Sequence, residues 1–474
     1  MKATQTLIHV AAVSLLAGLA PTAHAGVVSN ATFVNGLALD GGMLDKSSGS
    51  DVNRRVGFFS DIYYDNLRGQ WWGVSDRGPG GGTLNYETRV QRFTLDVAAN
   101  GAISNFQIAQ TVTFTDGGQP LNGLAPVLAG SLGRSFDPEG MVIVPGSGHI
   151  LVADEYGPSL RLFNRSGEQI RAFTPPANLV PKVAGNANFN ATPPTLTSGR
   201  EPNRGFEGLA ISPDGKFAYA VLQNGTVQDG WTASARGAFT RIAKFDMAAG
   251  EAVAQYAYKL DSTGQGRGLS GLVALGNDKF LVIERNNRGI GVGANLASPD
   301  KNVYEVDLTG AVDVSNVSLP ATGNFAAAVT KVAKVIDLDA DTLAALGGRA
   351  PEKWEGLSIG PQLADGSYLI LAGTDNDYSV TQNGTNQQFD VFYRMSDANP
   401  DATSIQCPIG TKTNCFFTAS NGAATLTSAY GLLPGVLHAY TARLTNYVAP
   451  VPTPGTLALS ALALGVLALR RNRA

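Results

Sequence analysis

Short apolar runs alternate with glycine-rich polar turns along most of this 474-residue chain. The clearest unit starts with a corner of polar or acidic residue and glycine, continues as an apolar strand, turns sharply and returns as a second apolar strand. Runs of this length bounded by Gly, Asp, Asn and Pro predict β-strands joined by tight turns. The unit occurs five times, and its copies begin near Ser60, Phe136, Phe206, Leu269 and Trp354.

A third strand with alternating apolar and polar residues follows each copy. Period-two alternation predicts a strand with one face on a core and the other toward solvent. These segments are Val90–Leu95, Leu160–Phe163, Arg241–Phe245, Val303–Val306 and Val391–Arg394. One small sheet cannot bury both of its faces, so repeated sheets are expected to pack radially, as in a propeller.

Both ends of the repeat region also read as strands, Phe33–Leu39 and Val436–Ala442. We expect them to form a sixth blade together. The predicted fold is therefore an all-β, six-bladed β-propeller closed by N- and C-terminal strands, over residues 26–447. A pair of packed sheets in a β-sandwich is the rival arrangement, and the fixed order of strands in every repeat favours the propeller.

The first 25 residues have the pattern of a secretory signal peptide. Lys2 is followed by an apolar run over residues 7–19, and Ala23-His24-Ala25 fits a small-x-small cleavage site. The mature chain is expected to begin at Gly26. In an exported protein, the two cysteines, Cys407 and Cys415, predict one disulfide that closes a small loop.

Charge and histidine content exclude several functions. The formal net charge is -3 and charged residues make up 15% of the chain, so no nucleic-acid partner is expected. After the signal peptide only His149 and His438 remain, and no Gly-x-Ser-x-Gly elbow occurs. A Ser-His-Asp esterase is therefore disfavoured, and any catalysis would have to use carboxylates and a bound cation.

The corners of the repeats carry carboxylates. Equivalent corners of a radial repeat face one another around the axis, where like charges repel unless a cation lies between them. Flexible carboxylate ligands favour a divalent cation, most of all calcium. The alternative is that each Glu-Gly pair only caps a turn. The expected ligands are Asp137, Glu139, Glu207 and Glu355.

Basic residues precede four corners and form the candidate substrate-binding set: Arg134, Arg204, Arg267 and Lys353. Arginine suits phosphate or carboxylate groups, although local pairing with the neighbouring Glu is an equal alternative. Acidic and basic residues also end the second strand of several copies, at Asp76-Arg77-Gly78, Asp154-Glu155, Glu284-Arg285 and Asp375-Asn376-Asp377. The predicted catalytic set is Asp76, Arg77, Glu139, Glu207 and Glu355. Long polar inserts at 177–200, 224–238 and 286–300 are expected to rim the pocket.

The C-terminal segment 451–474 has its own pattern. Val451-Pro452-Thr453-Pro454-Gly455 precedes an apolar run to Leu469 and a basic end, Arg470-Arg471-Asn472-Arg473. This order resembles the PEP-CTERM sorting tag, with Thr453 where the tag usually has Glu. The resemblance implies an exosortase-type protease as partner, a transient membrane anchor and release or display at the surface of a Gram-negative bacterium. A plain C-terminal anchor is the alternative.

The heads around Glu139, Glu207 and Glu355, with Val74–Gly78 and Val152–Glu155, resemble the family named esterase-like activity of phytase, or phytase-like domain. The resemblance covers roughly Phe58 to Arg394. It implies an exported β-propeller that hydrolyses phosphate or carboxylic esters. Two other functions remain open, a lactonase-like calcium propeller and a non-catalytic module that binds polysaccharide or protein at the cell surface.

Overall fold

The computed structural model describes residues 26–230, 236–293, 295–382 and 387–451. The predicted signal peptide and nearly all of the predicted sorting tag lie outside these residues. Among the described residues, no helix has the length and apolar character required to span a bilayer.

Antiparallel β-strands dominate the first half of the chain. After β1 (Val28–Leu39), sheet 1 contains β2 (Asp61–Asp65), β3 (Gln70–Val74), β4 (Arg89–Val97) and β5 (Ile103–Thr113). A small ribbon follows, β6 (Thr115–Asp116) and β7 (Gln119–Pro120). Sheet 2 contains β8 (Pro138–Ile143), β9 (Ile150–Asp154), β10 (Ser159–Phe163) and β11 (Gln169–Ala172). A second ribbon is β12 (Lys182–Val183) and β13 (Asn186–Ala187).

The second half continues the pattern. Sheet 3 contains β14 (Phe206–Ile211), β15 (Phe217–Leu222), β16 (Phe239–Asp246) and β17 (Glu251–Lys259). Sheet 4 contains β18 (Gly268–Gly276), β19 (Lys279–Arg285), β20 (Lys301–Asp307) and β21 (Thr330–Asp337). Next come β22 (Trp354–Gln362) and β23 (Tyr368–Thr374), then β24 (Val380–Gln382), β25 (Gln388–Tyr393), β26 (Ile405–Pro408), β27 (Cys415–Phe417), β28 (Ala423–Ala424), β29 (Gly431–Leu432) and β30 (Gly435–Leu444).

Helices are few and short in the described part of the chain. The α-helices are α1 (Asp51–Arg54), α2 (Pro126–Ala129) and α3 (Pro400–Thr403), and two 3-10 turns lie at Ala344–Leu346 and Asp377–Ser379. The predicted all-β class is therefore confirmed.

The first strands of the sheets lie side by side around a common centre. β2 contacts β8, β8 contacts β14, β14 contacts β18, β18 contacts β22, and β22 contacts β2. Glycines make this close approach possible: a Cβ on Gly140 would lie 2.3 Å from the Glu207 carbonyl oxygen, and one on Gly208 would lie 2.1 Å from that of Ser270. The glycine after each corner is thus required by packing between sheets, and the arrangement is propeller-like.

The six-bladed arrangement is not found among the described residues. The two terminal strands do pair, with Val28 opposite Leu444, but β30 also pairs with β23. They therefore complete the sheet that starts at Trp354, in the order β1-β30-β23-β22, which we call sheet 5. The described residues contain five four-stranded sheets.

The prediction that Val391–Arg394 is the third strand of the Trp354 sheet was wrong. The first three residues of this segment, Val391–Tyr393, lie in β25, which belongs to a separate sheet of β24–β29 inserted between β23 and β30. Its alternation serves a small core of its own around Phe392 and Ile405. The predicted disulfide between Cys407 and Cys415 is confirmed, and it lies in this inserted sheet.

Candidate functional site

The Glu-Gly corners are β-bulges at the start of first strands. The pairing register shifts between Pro138 and Met141, between Phe206 and Leu209, and between Trp354 and Gly356. A bulge bends its strand and changes the direction of a side chain. Each of these bulges contains one of three buried glutamates: Glu139, Glu207 and Glu355.

The three glutamates converge. Carboxylate oxygens of Glu139, Glu207 and Glu355 all lie within 4.8 Å of one another. Asp76, Asp137 and Glu139 form a second group within the same distance, so Glu139 belongs to both. Like charges this close in a buried site favour protonation of some members or the binding of a cation.

Cationic side chains compensate part of this charge. Arg285 forms an ion pair with Glu355. Nη1 of Arg77 lies 2.5 Å from Asp137 and 3.3 Å from Glu155. Nζ of Lys353 lies 2.8 Å from Asp375 and 2.6 Å from Asp377. Burial lowers the pKa of Lys353, but the carboxylates of Asp375 and Asp377 outweigh it and hold that pKa well above the usual value.

Glu139 and Glu207 lack such compensation. In the described part of the chain, neither carboxylate forms an ion pair, and neither accepts a backbone N–H bond of the kind that a turn cap would make. Burial, followed by the charge of Glu207, raises the pKa of Glu139 well above its usual value. Burial, followed by the charge of Glu355, does the same to the pKa of Glu207. In both carboxylates, burial and neighbouring negative charge disfavour the charged form.

The aspartates of the site are perturbed in the same direction. Burial raises the pKa of Asp137 to about 7, against the opposing charge of Arg77. Burial also raises the pKa of Asp375 to about 7, against the opposing charge of Lys353. Asp76, buried beside Asp375, has its pKa raised well above the usual value. Perturbed carboxylates gathered in one cleft are typical of functional sites.

A polar cavity of about 120 Å³ connects these groups. Its walls contain seven of the residues predicted from sequence: Asp76, Arg77, Glu139, Arg204, Glu207, Lys353 and Glu355. Asp137 lies next to it through its ion pair with Arg77. Arg134 is exposed and does not line the cavity, and Arg267 pairs with Glu284 at 3.4 Å and with Asp300.

Arg204 differs from the other cations of the cavity. Its Nη1 donates to Oε1 of Gln223 at 2.6 Å and to the Asn203 carbonyl, and no described carboxylate pairs with it. Its Nε has no hydrogen-bond partner among the described residues. Burial, followed by the charge of Arg236, lowers its pKa. Arg204 is therefore a cation with free donor capacity beside Glu207.

The ends of the second strands add the groups that the predicted site omitted. Glu155, Arg285 and Asp375 follow or end β9, β19 and β23, and all three line the cavity. Their position after apolar strands was visible in the sequence, but their convergence was not. Gln223, Asn203 and Asn287 complete the walls and carry no charge pattern that could have identified them.

The inserts contribute unequally to the cavity rim. The start of the insert 286–300 reaches the cavity wall through Asn287, next to Arg285 at the end of β19. Arg236, from 224–238, pairs with Glu201 at 3.0 Å, and Arg200, from 177–200, donates to the Tyr156 carbonyl.

A second cavity, of about 180 Å³, is mostly apolar and is lined by the opposite ends of the first strands, including Ile211, Ala274 and Ile359.

The family model described as "Phytase-like: Esterase-like activity of phytase" matches residues 54–378. The chain belongs to this family. A protein of Arthroderma benhamiae described as "Uncharacterized secreted protein" is 26% identical over 429 residues, covering 70% of this chain and 82% of that protein.

Similarity to solved structures is weak. A luciferin-regenerating enzyme matches with 9% identity and a TM-score of 0.31, over 88% of this chain and 100% of that one. Hydrazine synthase of Kuenenia stuttgartiensis matches with 12% identity and a TM-score of 0.28, over 78% of this chain and 70% of that one. Similarity at this level does not bear on the activity of this protein.

Proposed function

We propose that this protein is an exported, divalent-cation-dependent hydrolase of phosphate or other esters. The observation that carries the proposal is the convergence of Glu139, Glu207 and Glu355 within 4.8 Å, while among the described residues only Glu355 of the three forms an ion pair. Membership of the phytase-like family supports the hydrolase class. The secreted description of the fungal relative supports export.

The donor set suits calcium. Calcium prefers carboxylate oxygens and accepts irregular coordination. Glu139 and Glu207 have carboxylate oxygens without an ion-pair partner that would hold it, Glu355 would share its carboxylate with Arg285, and Asp76 and Asp137 would be the adjoining ligands. Burial first, and the repulsion between carboxylates second, raise the pKa of Glu139 and of Glu207, and a bound cation would oppose both effects.

The chain's own residues have separate tasks in this proposal. A divalent cation, when bound, polarises a phosphoryl or carbonyl oxygen and makes a bound water more acidic. Arg204 uses its free donors to hold the anionic end of the substrate, and Arg77 keeps Asp137 and Glu155 in place. Asp76 accepts a hydrogen bond from the attacking water and orients it.

Basic residues among the acids favour an anionic substrate over the lactonase-like alternative. Arg77, Arg204, Arg285 and Lys353 line the same cavity as the acids. The unpaired state of Glu139 and Glu207 argues against a purely structural role for the corners.

We further propose that an exosortase-type protease processes residues 451–474, with a transient membrane anchor and final location at the cell surface or outside the cell.

The test is a hydrolysis screen of the exported protein on phosphomonoesters, carboxylic esters and lactones, with calcium and with a chelator. Calcium-dependent hydrolysis of phosphate or carboxylic esters is expected. Hydrolysis of lactones alone would establish the lactonase alternative. Calcium binding without hydrolysis of any class would leave a binding module, and activity in the chelator would separate catalysis from the cation.

A further inference from the structure

A buried carboxylate lies beside the first described residue and is not part of the walls of the acidic cavity. Glu305, on β20, has no exposed surface. Its Oε1 and Oε2 accept the N–H of Val27 at 2.7 and 2.9 Å, and Oε2 also accepts the N–H of Val28 at 2.9 Å. No side-chain cation of the described residues pairs with it. Fully buried carboxylates are normally compensated by a positive charge.

Gly26 lies next to this carboxylate. A Cβ built on Gly26 would be 3.4 Å from Oε2 of Glu305. Gly26 is exposed and has no side chain, whereas Val27 is 6% exposed and belongs to the core between sheets 4 and 5. The N–H groups of Val27 and Val28 are thus already directed at Glu305, and the nitrogen of Gly26 is the next one along the chain.

The signal-peptide pattern predicts cleavage between Ala25 and Gly26. In the uncut chain the Gly26 nitrogen is a neutral amide with one hydrogen. Hydrolysis of that peptide bond gives a carboxylate on Ala25 and an amino group on Gly26. An α-amino group has an ordinary pKa of about 7.7–8.0, so it is mostly an ammonium at neutral pH.

We propose that Glu305 is the binding site for the α-ammonium group that cleavage creates on Gly26. The resulting ion pair, in which the carboxylate is buried, joins the start of β1 of sheet 5 to β20 of sheet 4. Full stability is then reached only after the leader is removed. The proposal is independent of any hydrolase activity, because Glu305 does not line the acidic cavity.

The experiment compares two forms of the protein. One covers residues 26–474 and starts at Gly26 after cleavage of a fusion, and the extended form covers residues 23–474 and keeps Ala23-His24-Ala25. Each form is made with native Glu305, with Glu305→Gln, and with the exposed control Glu251→Gln. The Gly26 form should unfold about 3 °C or more above the extended form, because an ammonium group would compensate the buried carboxylate of Glu305. Glu305→Gln should abolish the difference, and Glu251→Gln should preserve it.

A second measurement does not depend on the variants. Mass spectrometry of the exported protein should give Gly26 as the first residue. At neutral pH the α-amino group of the folded protein should react with an acylating reagent about tenfold more slowly than that of the unfolded chain, since 1.4 kcal/mol of stabilisation corresponds to tenfold. A different first residue, equal reactivity in both states, or a stability difference that persists in Glu305→Gln would overturn the proposal.

Discussion

Arg285, at the end of β19, forms an ion pair with Glu355, on the first strand of the next sheet. Glu207 and Glu139 occupy equivalent corners and have no such partner among the described residues. Three carboxylates in one cluster therefore differ in compensation, and substitutions at the three positions should have different effects.

Glu207→Gln should weaken calcium binding at least about tenfold, because it removes a charged ligand while keeping the shape of the side chain. In a chelator the same variant should unfold at a higher temperature than the native protein, because one uncompensated buried charge is gone. Calorimetric titration with calcium and thermal unfolding measure both effects. Unchanged calcium affinity would contradict the cation site.

Glu355→Gln should instead destabilise the protein in a chelator, by about 3 kcal/mol, because it leaves the buried guanidinium of Arg285 without its partner. Denaturant unfolding measures the free energy. An equal change in the free energy of unfolding for Glu355→Gln and Glu207→Gln would show that the ion pair with Arg285 does not make Glu355 different from Glu207.

Arg204→Gln should raise KM for an anionic ester about tenfold or more and change kcat less, because the lost group binds the substrate. Stability should change little, since no carboxylate depends on Arg204. Arg134→Gln is the matched control: its side chain is exposed and outside the cavity, so its kinetics should match those of the native protein. Similar losses in both variants would argue for a general effect of surface charge.

His438 should make the protein sensitive to acid. Burial lowers its pKa from an ordinary 6.5 to about 4, so the unfolded chain takes up the proton first as the pH falls. Its stabilising contribution is complete above pH 6.5 and is lost between pH 6.5 and pH 4, by about 3 kcal/mol. His438→Leu should remove this slope, as measured by denaturant unfolding from pH 7 to pH 4. An unchanged difference between the two proteins across that range would refute the assignment.

Removing the disulfide should destabilise the inserted sheet before the rest of the molecule. Replacing Cys407 and Cys415 together by Ser opens a loop of sequence separation 8, with an expected cost of about 2 kcal/mol. Limited proteolysis should then cut within residues 380–432 sooner than in the native protein. First cleavage elsewhere would show that the inserted sheet does not depend on the disulfide.

The repeat of acid, glycine and strand was readable in the sequence because each part has a local cause. Gly140 is needed because a side chain there would collide with β14, the first strand of sheet 3. The bulge at Pro138–Met141 directs Glu139 inward. The same regularity led to seven cavity residues. The position of Arg134 was not readable, because the loop before β8 carries it away from the cavity.

Long-range pairing explains the other differences. Val391–Arg394 alternates like a third strand, but alternation does not specify which sheet a strand joins. The third strand of the sheet that starts at Trp354 is instead β30, which follows the inserted sheet in the chain. The terminal strands therefore complete sheet 5 and do not form a sixth blade. The corner of sheet 4 has Ser270 in place of a glutamate, and its hydroxyl donates to the Trp354 carbonyl at 2.9 Å. The cavity residue that comes from sheet 4 is therefore the basic Arg285 and not a carboxylate.

The pairing of β1 with β30 has a consequence for how the chain is made. β1, the first strand of the described residues, has its partner more than 400 residues later, with Val28 opposite Leu444. Until that partner is synthesised, β1 has an unsatisfied hydrogen-bonding edge that other chains could occupy. Sheet 5 therefore cannot be completed until residues 435–444 have been synthesised, so its closure belongs to the end of synthesis or to a later time.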